Sequence, residues 1–271
     1  MGESFGSRLY GAIEKRGRLC VGIDPHAALL ADWGLADDPA GLETFALTAV
    51  EALAGEVAVL KPQSAFFERH GAAGIAVLER VVREARAAGA LVLLDVKRGD
   101  IGSTAAAYAD AYLHPDSPIS CDAVTVSPYL GFGSLAPFLD AADRYDRGVF
   151  VLALTSNPEG PEVQHARVEG GTVAGSVLAQ LAMRNGRAEP LGSYGAVVGA
   201  TIGELSEDVA INGPLLVPGL GAQGGTPADL RRLFGEVYAN VLPATARAVL
   251  AAGPDVHALR AAARRTADDL D

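Results

Sequence analysis

Short, continuous apolar runs rich in Val, Leu and Ile recur along the chain at residues 19–23, 57–60, 91–96, 123–126, 149–154, 196–198, 215–217 and 241–242. Runs of this length that do not alternate with polar residues predict strands covered on both faces, as in a parallel sheet wrapped by helices. The gaps hold Ala, Leu, Glu and Arg at helical spacing, over 40–53, 75–88, 104–113, 135–142, 173–183, 202–209, 227–234 and 245–251. Each predicts a helix with one apolar face. The order is strand then helix, eight times over, with one more helical stretch at 4–15 before the first strand.

That count predicts a (β/α)₈ TIM barrel, an α/β fold, as a single domain over residues 1–271 with its N-terminal helix closing the bottom. The rival is an open doubly wound sheet. That fold asks for a GxGxxG turn after the first strand, whereas here Val21-Gly22-Ile23-Asp24-Pro25 ends the strand in an acid and a proline. Gly- and Pro-rich clusters fall between strand and helix, so none reads as a linker between domains.

The 271 residues carry 22 Lys and Arg against 33 Asp and Glu, a formal net charge of −11. A nucleic acid or an anionic membrane would be repelled overall, so an anionic ligand needs a pocket where a few cations reverse the field. Cys20 and Cys121 sit beside apolar runs and are expected as buried core residues. The five histidines show no paired metal spacing, so no metal site is expected. No run is long enough to span a bilayer and residues 1–15 lack the pattern of a signal peptide, which predicts a cytoplasmic protein.

Barrel sites form at the carboxyl ends of the strands, so the polar residues that follow each apolar run are the candidates. Strand one ends in Asp24 and strand two in Lys61; strand three delivers Asp95, Lys97 and Asp100. Residues two apart in a strand share a face, so Asp95 and Lys97 are expected to enter the mouth together with Val96 turned outward. One such pair serves equally well as a salt bridge closing the barrel; Lys61 and Asp24 on the same rim favour chemistry. A lysine flanked by carboxylates keeps its proton, so it donates protons rather than forming a Schiff base. A carboxylate in the same pocket repels an anionic substrate group by about 4 kcal/mol at about 4 Å and an effective dielectric of about 20. Loss of carbon dioxide would relieve that stress in the transition state. After strand seven, Pro218-Gly219-Leu220-Gly221-Ala222-Gln223-Gly224-Gly225 leads into a helix at Thr226-Pro227, and Arg247 follows strand eight. Glycines that let backbone N–H groups approach an anion, a helix terminus and an arginine in these two loops predict a phosphate monoester site.

These residues together resemble the orotidine 5′-phosphate decarboxylase family, in its longer bacterial branch found in actinobacteria. The likeness covers nearly the whole chain. Its most specific part is the DxKxxD stretch Asp95-Val96-Lys97-Arg98-Gly99-Asp100, joined to Lys61-Pro62-Gln63-Ser64 and to the Gly221–Gly225 loop. The resemblance implies decarboxylation of orotidine 5′-monophosphate to UMP, the last step of pyrimidine nucleotide synthesis, with no cofactor. Asp24 would bind ribose hydroxyls, Lys61 would bridge ribose and the charge network, and Asp95 would face the substrate carboxylate. Lys97 would protonate C6 as carbon dioxide leaves. Ser156 would hold the pyrimidine amide and Gln223 would link base and phosphate. Pro218, Gly219 and Arg247 would hold the phosphate. Asp100, with Ile101 and Thr104, would reach a neighbouring subunit's site and make the enzyme a homodimer. Magnesium-dependent sugar-phosphate decarboxylases share the DxKxxD pattern but carry an acid after strand two; Lys61 stands there instead and would repel the ion. A phosphate-metabolite binding barrel without catalysis is the remaining alternative. Ala246 stands before the arginine, where relatives are expected to carry glycine or a small polar residue.

Overall fold

The computed structural model of the chain describes residues 2–221 and 224–270. Eight parallel strands close into a barrel in chain order: Cys20–Ile23, Val59–Pro62, Leu91–Arg98, Ala123–Val126, Gly148–Leu154, Tyr194–Val198, Leu215–Pro218 and Val241–Thr245. Closure is made by the first and eighth strands, with Cys20 beside Ala244 and Val21 beside Thr245. All eight apolar runs are therefore strands, and the architecture is the TIM barrel that their order predicts.

Strand periodicity divides the apolar residues into two layers. An inner cluster takes at least one residue from each strand, from Cys20 through Leu93 and Phe150 to Leu242. Their neighbours one position on, such as Val21, Leu60, Leu94 and Val124, join the larger cluster between barrel and helices. The helix Phe5–Arg16 places Phe5 and Leu9 in the inner cluster, so it plugs the bottom of the barrel. Phe5 meets Phe150 edge to face at 6.0 Å between ring centres. A Cβ on Gly148 would lie 2.4 Å from the Phe5 ring, which is why the fifth strand starts with glycine.

The helical layer follows from local signals. Helix Pro39–Leu53 starts with proline in its first turn, and its cap residue Asp38 accepts the Gly41 N–H at 2.8 Å. Its apolar stripe, Leu42, Phe45, Ala46, Ala49, Val50 and Leu53, is buried at helical spacing. Trp33 packs on Phe45 and donates its indole N–H to the Leu250 carbonyl at 2.9 Å, an ordinary core role.

Two helical expectations are corrected. Residues 202–209 form turns and bends, so no helix joins the sixth and seventh strands. Gly203 takes φ +82°, Asp208 accepts the Ala210 N–H at 2.9 Å and Glu207 accepts from the Thr172 hydroxyl at 2.8 Å. An aspartate that bonds the nearby backbone, as Asp208 does, competes with the helical ladder. The stretch 245–251 contains only the short helix Arg247–Leu250, because Thr245 belongs to the eighth strand. Helix Val256–Asp268, capped by Asp255, completes the outer layer beyond the predicted elements. Among the described residues no helix is long and apolar enough to cross a membrane.

The lower rim is tied by one buried carboxylate. Asp122, just before the fourth strand, receives Arg8 at 2.7 Å, Arg147 at 3.3 Å, Arg86 at 3.4 Å and the Val92 N–H at 3.0 Å. It joins the bottom helix, an outer helix and three consecutive strands at a single point.

Candidate active site

The same strand period that builds the inner core builds the site. Two positions beyond the inner residues Cys20, Val59, Leu93, Ala123 and Phe150 stand Gly22, Lys61, Asp95, Thr125 and Leu152, and all five line one cavity. The next step brings in Asp24 and Gln63. The apolar plug thus gives way, one layer higher, to a chamber of about 530 Å³ that carries charged and polar groups at the carboxyl ends of the strands. That volume suits a drug- or nucleotide-sized molecule.

Asp95 is the centre of the chamber. Its Oδ2 accepts from Lys61 Nζ at 3.0 Å, and its Oδ1 accepts from Lys97 Nζ at 2.6 Å and the Thr125 hydroxyl at 2.8 Å. Burial pushes this carboxyl up, but the Lys61 and Lys97 ammoniums outweigh it and hold it well below the usual carboxylate range. Burial likewise opposes the charge of Lys61, yet the carboxylates of Asp24 and Asp95 hold it above the ordinary lysine range. Asp24 moves the other way: burial raises it against the pull of Lys61. Its Oδ1 is buried with no hydrogen-bond partner among the described residues. An acceptor left in that state is costly, and a donor on a bound molecule would satisfy it. Cys20, directly beneath, is pushed up to about 12 by burial and is no nucleophile at neutral pH.

Asp95 and Lys97 do meet, although not through regular pleating. Leu93 and Leu94 pair with Ala123 and Val124, but the next pairing is Arg98 with Val126, so three residues of the third strand face Thr125 alone. Lys97 takes φ +46° in this bulge, and the turn carries its ammonium back over Asp95. Bulges of this kind are frequent beside active sites, where they re-aim a side chain.

Across the chamber stand Ser156, Pro218, Gly219 and Arg247, where they are expected. Lys61, Lys97 and Arg247 set three cations against the two carboxylates, which reverses the chain's overall charge locally. Among the described residues Arg247 is in no ion pair, so its guanidinium is free for a ligand. The N–H groups of Gly221, Gly224 and Gly225 bond within the glycine loop, and the helix Pro227–Phe234 is closed by a reciprocal Thr226–Asp229 cap. That helix terminus is filled by a carboxylate and lies outside the cavity lining, to which these loops contribute Pro218 to Leu220 and Arg247. Gln223 lies outside the described residues.

Asp100, Ile101 and Thr104 do not line this cavity. Asp100 Oδ1 accepts the Ile101 N–H at 2.8 Å, and Ile101 is exposed beside Gly102, where the helix begins. Among the lining residues to which the sequence assigned no role are Thr125, His26 and Gln164. Thr125 was signalled by a polar residue at an inward position of an apolar strand. His26, packed edge-on to Phe66, follows Asp24 by one further period. Gln164 accepts the Thr155 N–H at 2.9 Å and donates to its hydroxyl at 2.7 Å, pinning the segment after the fifth strand; nothing local announced that contact.

The orotidine 5′-phosphate decarboxylase / HUMPS family model matches residues 17–262. The orotidine 5′-phosphate decarboxylase of Streptomyces coelicolor is 64% identical over 270 residues, covering 99% of this chain and 97% of its own. That of a Nocardioides species is 66% identical, with 98% of both chains covered. A crystal structure of a Streptomyces avermitilis protein superposes with a TM-score of 0.97 at 64% identity over 99% of this chain and 95% of its own. The structure of Leishmania donovani OMP decarboxylase follows the same path with a TM-score of 0.75 at 33% identity, covering 99% and 98%. Full-length identity of this order, on a barrel whose mouth carries the Lys61–Asp95–Lys97 network, places the chain in the orotidine 5′-phosphate decarboxylase / HUMPS family.

Proposed function

We propose that the chain decarboxylates orotidine 5′-monophosphate to UMP, without a metal ion, and that Lys97 is the proton donor. The observation that carries this reading is the Asp95 carboxylate held ionised between Lys61 and Lys97 inside a nucleotide-sized chamber. The substrate carboxylate lies against Asp95, a like charge whose repulsion disappears as carbon dioxide departs. The C6–carboxyl bond breaks with its electron pair left on C6, carbon dioxide leaves neutral, and Lys97 Nζ passes one proton to C6 to give UMP. Lys61 stabilises the charge developing nearby, and the unpaired Oδ1 of Asp24 takes a ribose hydroxyl. A metal ion in this chamber would face two ammoniums, one of them buried. The test is absorbance-monitored turnover with excess EDTA: full rate is expected, and dependence on added magnesium would overturn the metal-free reading.

Arg247, with Pro218, Gly219 and Gln223, holds the phosphate, and Ser156 holds the pyrimidine amide. Binding energy from a group remote from C6 serves the chemistry only when the chamber is organised around it. Orotidine lacking its phosphate is therefore expected to lose at least about 10²-fold in kcat, beyond any rise in KM. Equal kcat for the two substrates would refute this use of the phosphate.

The working unit of this reading is a cytoplasmic homodimer. Asp100, Ile101 and Thr104 stand outside their own cavity, and the Ile101 side chain is exposed, as are Tyr129 and Leu130 after the adjoining fourth strand. An exposed apolar group of this kind suits a subunit contact, through which Asp100 reaches the partner's chamber. Mixed dimers of Lys97→Ala and Asp100→Ala chains would then hold one intact site, so mixing two inactive variants restores about a quarter of wild-type turnover. No recovery from co-refolded variants would place Asp100 in its own subunit's site.

A further inference from the structure

Resting on the reading above, we propose that Thr125 is a positioning residue for decarboxylation: its hydroxyl sets the bulge that brings Asp95 and Lys97 together. Thr125 is 1% exposed and sits at the centre of the fourth strand, opposite the three-residue break in the third. Where the register breaks, regular ladder partners are lost to the third strand. The Thr125 hydroxyl takes their place, accepting the N–H of Val96 at 3.0 Å and of Lys97 at 2.9 Å. Its own proton goes to Asp95 Oδ1 at 2.8 Å, the oxygen that Lys97 Nζ also reaches.

A hydroxyl has one proton to give and two lone pairs to share, so all of its capacity is spent here. One oxygen fixes the peptide preceding Lys97, the left-handed Lys97 backbone and the orientation of the Asp95 carboxylate. A left-handed conformation is disfavoured for a side chain such as lysine and persists only where its surroundings impose it. The branched Thr125 side chain has few rotamers to lose, which keeps the oxygen in place. The residue needs no contact with the substrate: it acts through the two groups that do the chemistry.

The test compares Thr125→Val, which keeps the shape and removes the hydroxyl, with Thr125→Ser, which keeps the hydroxyl. Turnover of orotidine 5′-monophosphate, affinity for UMP and circular dichroism are measured on each. Thr125→Val is expected to lower kcat about 10- to 100-fold with KM and UMP affinity within about threefold of wild type, since misplacing reacting groups costs the chemical step. Thr125→Ser is expected to recover most of that kcat. A valine variant within twofold of wild-type kcat would overturn the proposal, as would a loss confined to KM or a folded serine variant as slow as the valine one. If the valine variant does not fold, Thr125→Ala and the serine variant decide: both at the wild-type rate, or both equally slow, overturns it. Failure of the wild-type protein to turn over this substrate would instead refute the proposed function, and the two failures are separate.

Discussion

Replacing Lys97 with alanine is expected to lower kcat by about 10⁴-fold, the upper end of what a positioned proton donor contributes. That loss corresponds to about 5 kcal/mol of transition-state stabilisation. Lys97 Nζ is the ammonium that reaches Asp95 Oδ1 over the open side of the chamber, and its side chain is 46% exposed where that of Lys61 is 8% exposed. The buried lysine is boxed in by Asp24 and Asp95, so it cannot swing to serve C6 in place of Lys97. The same contrast predicts the effect on folding. Asp95 keeps Lys61 and Thr125 when Lys97 is removed, so its charge stays compensated and the variant remains folded. Absorbance-monitored turnover in excess EDTA, with a thermal melt of the same sample, measures both. Wild-type turnover in Lys97→Ala protein would refute the assigned role.

Asp122→Ala is expected to act on stability as strongly as Lys97→Ala acts on catalysis. The substitution removes the only carboxylate on which Arg8, Arg86 and Arg147 converge among the described residues. Arg147 is the costly member. Its side chain is 9% exposed, its Nε has no partner, and burial together with the charge of Arg86 already holds it below the ordinary arginine range. Removing one partner of a buried ion pair typically costs about 3–5 kcal/mol, because the remaining charge is left without compensation. For a chain of this size that is a fall in Tm of roughly 6–20 °C. The cluster lies at the bottom of the barrel, away from the chamber, so KM below the melting transition should not change. A melt within about 2 °C of wild type would show that the arginines reach solvent once released.

The barrel was legible because its signal is repeated. Eight short runs of Val, Leu and Ile cannot all be buried on one face, and a closed parallel sheet inside a ring of helices is the arrangement that covers both. The first of the strand-end charges were legible for a related reason: Asp24 and Lys61 follow apolar runs directly and Asp95 interrupts one near its end, and a polar residue at that point of a barrel strand stands at the mouth. The 202–209 stretch misled because its apolar spacing is helical while Gly203 turns left-handed and the Asp208 side chain gives the Ala210 N–H another partner. The glycine loop shows another kind of bonding that composition does not reveal. Its composition invites an anion, but three of its N–H groups are used within the loop and the following helix carries its own acidic cap.

What the sequence determined by itself was the fold class, the order of the strands and the types of side chain that would stand at their ends, because each follows from local periodicity. Only the tertiary structure decided how those side chains meet. The third strand shows this most clearly: plain alternation puts Asp95 and Lys97 on one face, but they touch because a register break against the fourth strand turns Lys97 to φ +46°. The partner that holds that break, Thr125, lies about thirty residues further along the chain and carries no local sign of the bond. The three arginines of Asp122 are likewise far apart in sequence, at positions 8, 86 and 147. A pattern of residue types specifies which faces are buried, since burial depends on each side chain alone. Pairing of charges and hydroxyls across strands depends on distances of about 3 Å, which closure of the barrel sets.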